Sequence, residues 1–167
     1  MENSIYTVFI VEDSEVYREM LVHALNSGRP GQGVLFSLRD FASGEKCLQY
    51  IHLKPDVIIL DHFLNGSGSL YNMDGLSVLQ RIKKFSPSTE VIVLSSQQNR
   101  QVYEDFLKKG ASRYLQKQET GPFRVKESLI RMLRDKERKK LRNELLRWIT
   151  WGTAAAACLS LLFIHLL

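Results

Sequence analysis

The chain predicts an α/β fold, a doubly wound parallel sheet of five strands wrapped by helices, and two patterns carry that expectation. Short apolar runs at residues 8–11, 34–38, 57–60, 91–94 and 114–116 alternate with segments of helical period, as βα units do. Four of the runs end in polar residues able to do chemistry: Glu12 and Asp13, Asp61, Ser95, and Lys117. In such sheets the residues just past the strand ends gather at one rim, where these folds bind ligands. Five βα units in roughly 120 residues are enough to bury one core and form one domain.

Each helix is predicted from its apolar spacing. Val16, Met20, Leu21 and Ala24 mark one face after the first strand, and Val78, Leu79, Ile82 and Phe85 do so after the third. Val102, Phe106 and Leu107 follow the fourth strand; that helix should stop at Lys108-Lys109-Gly110, with cations in its last turn and glycine just beyond. Val125, Leu129, Met132 and Leu133 read as the last helix of the domain, and Leu141, Leu145 and Trp148 continue its apolar line.

The five-stranded doubly wound order is 2-1-3-4-5, the flavodoxin-like arrangement, whose switch point lies between the first and third strands. That order brings Glu12 and Asp13 beside Asp61. Three carboxylates so close repel one another and raise one another's pKa unless a cation sits among them. Oxygen ligands without a nearby cysteine favour a hard ion, and Mg²⁺ held by a few carboxylates, waters and a phosphate oxygen is its usual form.

These residues resemble the response-regulator receiver domain of two-component signalling. The resemblance spans residues 5–135 and rests on an ordered set: VEDS at 11–14, PDVIILD at 55–61, the helix start Asp74-Gly75, VIVLSS at 91–96 and GASRYLQK at 110–117. It implies that Asp61 is the phosphoacceptor, taking its phosphoryl group from a phosphohistidine on a sensor histidine kinase or histidine phosphotransfer protein. It implies further that Asp13, Asp61, the backbone carbonyl of Phe63 and, largely through water, Glu12 hold Mg²⁺, and that Lys117 pairs with the phosphoryl group. Ser95 matches the hydroxyl that bonds a phosphoryl oxygen, and Tyr114 the aromatic whose rotamer reports the event, so that the two form a switch. By the same resemblance the protein is not an enzyme beyond self-phosphorylation and autodephosphorylation.

Three positions depart from the family pattern. Gln118 follows Lys117 where proline is usual, often after a cis bond. The loop from Asp61 to Gly75 is longer than the norm, through Asn65-Gly66-Ser67-Gly68-Ser69, and reads as a lid over the site. Phe63 and Gln97 stand two residues beyond Asp61 and Ser95, positions that tune the lifetime of the acyl phosphate in this family. Phe63 also argues against a phosphohydrolase, because such enzymes place a second aspartate there as acid and base.

Beyond the domain, residues 148–167 contain no Asp, Glu, Lys or Arg, and 20 residues of helix span about 30 Å, the thickness of a bilayer core. They read as a single-pass membrane anchor, with Trp148 and Trp151 at the near interface. Charge divides along the same line. Residues 1–123, the receiver core, hold 13 Lys/Arg against 14 Asp/Glu, whereas residues 124–147 hold 10 against 4, so the high pI of about 9.3 belongs to a basic juxtamembrane segment. A basic flank marks the cytoplasmic side of a span and is drawn to anionic lipid. It gives no ground for nucleic acid as a partner, and pairing of two copies along residues 124–147 stays open because clean heptads are too few. Cys47 and Cys158 are too far apart and too isolated to suggest a disulfide framework or a zinc site.

The expected function is therefore a membrane-tethered receiver that signals to a downstream protein through phosphorylation-dependent contacts. The alternative is a degenerate, unphosphorylated receiver acting as a membrane scaffold.

Overall fold

The computed structural model describes residues 4–27, 34–64 and 73–165, with side chains throughout except at residues 150 and 152–165. In chain order the elements are β1 (Ser4–Val11), α1 (Glu15–Asn26), β2 (Val34–Phe41), α2 (Gly44–Gln49), a 3₁₀ turn (Ile51–Leu53), β3 (Val57–Asp61), α3 (Gly75–Phe85), β4 (Glu90–Ser95), α4 (Arg100–Lys108), β5 (Arg113–Gln116) and α5 (Pro122–His165). The strands form one parallel sheet in the order β2-β1-β3-β4-β5, as expected. The chain divides into two compact units, Met1–Glu127 and Ser128–Leu167.

Apolar runs become central strands because parallel strands are covered on both faces. Val8 to Val11, Val57 to Leu60 and Val91 to Leu94 are all buried. On one face Phe9, Val11, Ile58, Leu60, Val91 and Val93 join Val78, Leu79, Ile82 and Phe106 of α3 and α4 in a single cluster. The expected faces of α3 and α4 are thus largely correct, although Phe85 at the end of α3 is exposed. On α1 half of the expected stripe is buried: Leu21 and Ala24 point inward together with Leu25, whereas Val16 and Met20 are 70 % and 48 % exposed. Val16 and Met20 share the 3.6-residue period with the buried residues, and only the packing against the sheet sets where the buried arc ends.

Caps set the helix starts. The Ser14 hydroxyl accepts from the Tyr17 N–H, and an Asp74 carboxylate oxygen accepts from the Ser77 N–H at 2.7 Å. At the next position Gly75 is required by proximity, since a Cβ there would lie 2.6 Å from the Asp61 carbonyl oxygen and 2.7 Å from that of His62. Gly110, with φ 99°, supplies the left-handed turn that closes α4.

Every peptide bond among the described residues is trans, Lys117–Gln118 included. The predicted lid falls mainly on residues 65–72, which lie outside the described residues. Among the described residues no helix is long and apolar enough to cross a membrane. The predicted anchor at residues 148–167 falls largely on positions whose side chains are outside that set. In the second unit, Leu129, Met132 and Leu133 are buried, and residues 134–149 are exposed throughout.

Candidate phosphoacceptor site

Backbone bonds one step past each strand end fix the rim. The Glu12 N–H donates to the Phe41 carbonyl at 3.1 Å, the His62 N–H to that of Leu94 at 2.8 Å, and the Lys117 N–H to that of Ser95 at 2.8 Å. The sheet ladder thereby delivers the chemical residues of β1, β3, β4 and β5 to one edge. Asp61 and Ser95 are themselves the last residues of β3 and β4, so each is held by its own strand.

Glu12, Asp13 and Asp61 each offer a carboxylate oxygen to a cluster whose members lie within 4.8 Å of one another. Glu12 and Asp61 are only 1 % and 4 % exposed. Between them sits Lys117, its Nζ 2.7 Å from Glu12 Oε2 and 3.0 Å from Asp61 Oδ2, with the Tyr17 ring 4.7 Å from the ammonium. One ammonium against three carboxylates leaves excess negative charge in a site with little water to screen it.

The titration of the site reflects that excess. Burial pushes the Glu12 carboxyl up to about 7, with Asp61 adding to the rise and the Lys117 hydrogen bond opposing it. Burial likewise raises Asp61, against the pull of Lys117 and of a hydrogen bond from the Phe63 backbone N–H. Lys117 rises as well: its bonds to the two carboxylates outweigh the burial that disfavours its charge, and it stays protonated.

The donor set fits a hard divalent cation. It is oxygen only, it carries uncompensated charge, and its 4.8 Å spread compares with roughly 4.2 Å across an octahedral ion with bonds of 2.0–2.1 Å, so a bridging water or a small shift closes it.

The structure brings Glu12, Asp13, Asp61 and Lys117 together as the sequence reading expected. Phe63 borders them through its backbone N–H. Ser95 is fully buried, and its Oγ accepts from the Gln97 N–H at 3.0 Å and lies 3.0 Å from His62 Nδ1. Tyr114 packs against Tyr103 and Phe106, with ring centroids 5.6 and 5.7 Å away, and its hydroxyl is buried without a partner among the described residues.

Sequence reasoning missed two contributors. Arg18 donates from Nη1 to the Glu12 carbonyl at 2.8 Å and from Nε to Asp40 Oδ2 at 3.0 Å, holding the acidic loop to the end of β2. His62 bonds Ser95 across the sheet edge. Its one visible signal was a polar ring directly after Asp61, where a buried strand meets the rim.

Comparison with known proteins agrees with this geometry. The family model of the response regulator receiver domain matches residues 8–127. An NtrX-like response regulator of Rickettsia bellii is 32% identical over 142 residues, which is 84% of this chain and 27% of that protein. A protein-glutamate methylesterase/protein-glutamine glutaminase of Sulfurimonas denitrificans is 35% identical over 112 residues, 66% of this chain and 29% of that one. The chain thus spans little more than a quarter of the length of these curated relatives. Among solved structures, the BeF₃-activated receiver domain of DrrB from Thermotoga maritima superposes with a TM-score of 0.64 at 21% identity, covering 78% of this chain and 99% of that one.

Proposed function

Since this chain belongs to the response-regulator receiver family of two-component signalling, we propose that Asp61 is its phosphoacceptor and that a phosphohistidine on a kinase or phosphotransfer protein is the donor. An Asp61 carboxylate oxygen attacks phosphorus, the P–N bond to the donor imidazole breaks, and an acyl phosphate remains. The observation that carries this reading is Lys117, placed 3.0 Å from Asp61 inside a cluster of three carboxylates. Its ammonium is a point charge positioned to meet a phosphoryl oxygen. Glu12, Asp13, Asp61 and the Phe63 carbonyl would hold Mg²⁺, which when bound neutralises the phosphoryl oxygens. Ser95 then donates to a phosphoryl oxygen, and Tyr114 moves with it to change the surface around α4 and β5.

No enzymatic activity is assigned to the chain itself; the methylesterase relative is matched over 29% of its length, and its name does not carry over. Intact-mass measurement after incubation with Mg²⁺ and a small phosphodonor tests the site. One labile phosphate is expected on the wild type and none on Asp61→Asn, and equal labelling of both overturns the assignment.

We further propose that residues 148–167 anchor the chain in a membrane with the receiver on the cytoplasmic side. The charge-free stretch and the basic residues before it support this, as do the exposed Leu141, Leu145, Trp148 and Trp151, which find no core to cover them among the described residues. The chain should resist extraction by carbonate and high salt and yield to detergent; release by salt alone contradicts a span.

A further inference from the structure

We propose that His62 is a positioning residue of the switch, a latch that holds the Ser95 hydroxyl proton until a phosphoryl group claims it. The inference rests on the reading of Asp61 as phosphoacceptor and adds a residue that the sequence patterns did not mark.

Ser95 is fully buried, so its hydroxyl proton needs an acceptor inside the protein. Its oxygen already accepts from the Gln97 N–H. Among the described residues, the acceptor within reach of the proton is His62 Nδ1 at 3.0 Å, which assigns the ring as the tautomer protonated on Nε2. A serine has one proton to give. The hydroxyl proton that Ser95 donates to Nδ1 is the one a phosphoryl oxygen on Asp61 requires, so the two bonds exclude each other.

The imidazole is fixed on its other sides. It meets the Phe106 ring edge-on at 5.0 Å and the Phe63 ring at 4.2 Å, and its backbone N–H and carbonyl bond Leu94 and Gly75. Phe106 in turn packs against Tyr114 at 5.7 Å. Ser95, His62, Phe106 and Tyr114 form an unbroken line of contacts between the two switch residues, and redirecting the Ser95 hydroxyl to a phosphoryl oxygen breaks its hydrogen bond to the His62 ring.

Beryllofluoride with Mg²⁺, which mimics the phosphoryl group, is the probe, applied to the full chain in detergent micelles. His62→Leu keeps the apolar packing but offers no acceptor, and should bind beryllofluoride roughly threefold to tenfold more tightly, the worth of one neutral hydrogen bond. His62→Asn restores an acceptor and should return the affinity towards wild type. In a Ser95→Ala background, His62→Leu should have no effect. With ¹⁵N-labelled histidine, the His62 Nδ1 signal should be that of an unprotonated, hydrogen-bonded nitrogen and should change on adding beryllofluoride. Unchanged or weaker binding by His62→Leu, or a protonated Nδ1, overturns the latch. Failure of the wild type to bind beryllofluoride defeats the phosphoacceptor reading and the latch together; binding by the wild type without a gain in His62→Leu defeats the latch alone.

Discussion

The strand-end rim and the stretch of residues 134–149 use polarity in opposite ways. At the rim, charged groups are buried and their surroundings are apolar strands, so Glu12 and Asp61 are held against Lys117 at hydrogen-bond distance. Along residues 134–149 every side chain is exposed, and the unusual members are apolar, with Trp148 at 78 % exposure. A buried carboxylate cluster demands a cation or an electrophile, whereas an exposed apolar series demands a hydrophobic environment. The first region predicts chemistry and the second predicts location, and each can be perturbed without the other.

The largest effect should come from Lys117→Met. It leaves Glu12 and Asp61 buried without their ammonium, and breaking such a pair costs about 3 kcal/mol or more, reduced where a carboxyl escapes by taking a proton. Urea denaturation at pH 8 should show that loss, a smaller one should appear at pH 5, and phosphorylation should fall in both. An equal loss at the two pH values would separate Lys117 from the carboxylates.

A pH titration of the wild type sharpens the same contrast. Because burial raises Glu12 from 4.5 to about 7, the folded protein holds a proton that the unfolded chain has released within that window. Metal-free stability should therefore fall as pH rises from about 4.5 to 7, and Asp61, also raised by burial, adds in the same direction. Mg²⁺ competes with those protons, so the rise in Tm on adding Mg²⁺ should be larger at pH 8 than at pH 5. A pH-independent shift would contradict a site made of these carboxylates.

How much of this was legible beforehand follows from what each feature depends on. The sheet order and the cluster of Glu12, Asp13, Asp61 and Lys117 could be read because the central strands β1, β3 and β4 carry continuous apolar runs that stop at or beside a functional residue, and Lys117 directly follows β5. Strand length was underread at β2, which continues through Arg39 and Asp40 to Phe41: an edge strand alternates and its polar members look like loop. The exposure of Val16 and Met20 on α1 was hidden because they share one helical period with the buried Leu21, Ala24 and Leu25. The role of His62 could not be read from that position alone, because its partner Ser95 lies 33 residues away and only the pairing of β3 with β4 puts the two side by side.

The smallest effect belongs to the exposed series. Trp148→Glu should change the stability of the receiver by no more than about 0.5 kcal/mol, as exposed substitutions do, and should leave phosphorylation intact while weakening recovery in the membrane fraction. A marked loss of stability would show instead that Trp148 is covered by the protein.

The central claim is that the buried carboxylate at the end of β3 becomes an acyl phosphate, and chemical trapping tests it most directly. Borohydride reduces an aspartyl phosphate to homoserine, so after treatment with a phosphodonor and Mg²⁺ peptide mass mapping should find homoserine at position 61 and intact Asp13 and Glu12. Homoserine at position 13, or phosphate that survives borohydride on a hydroxyl, would contradict the account.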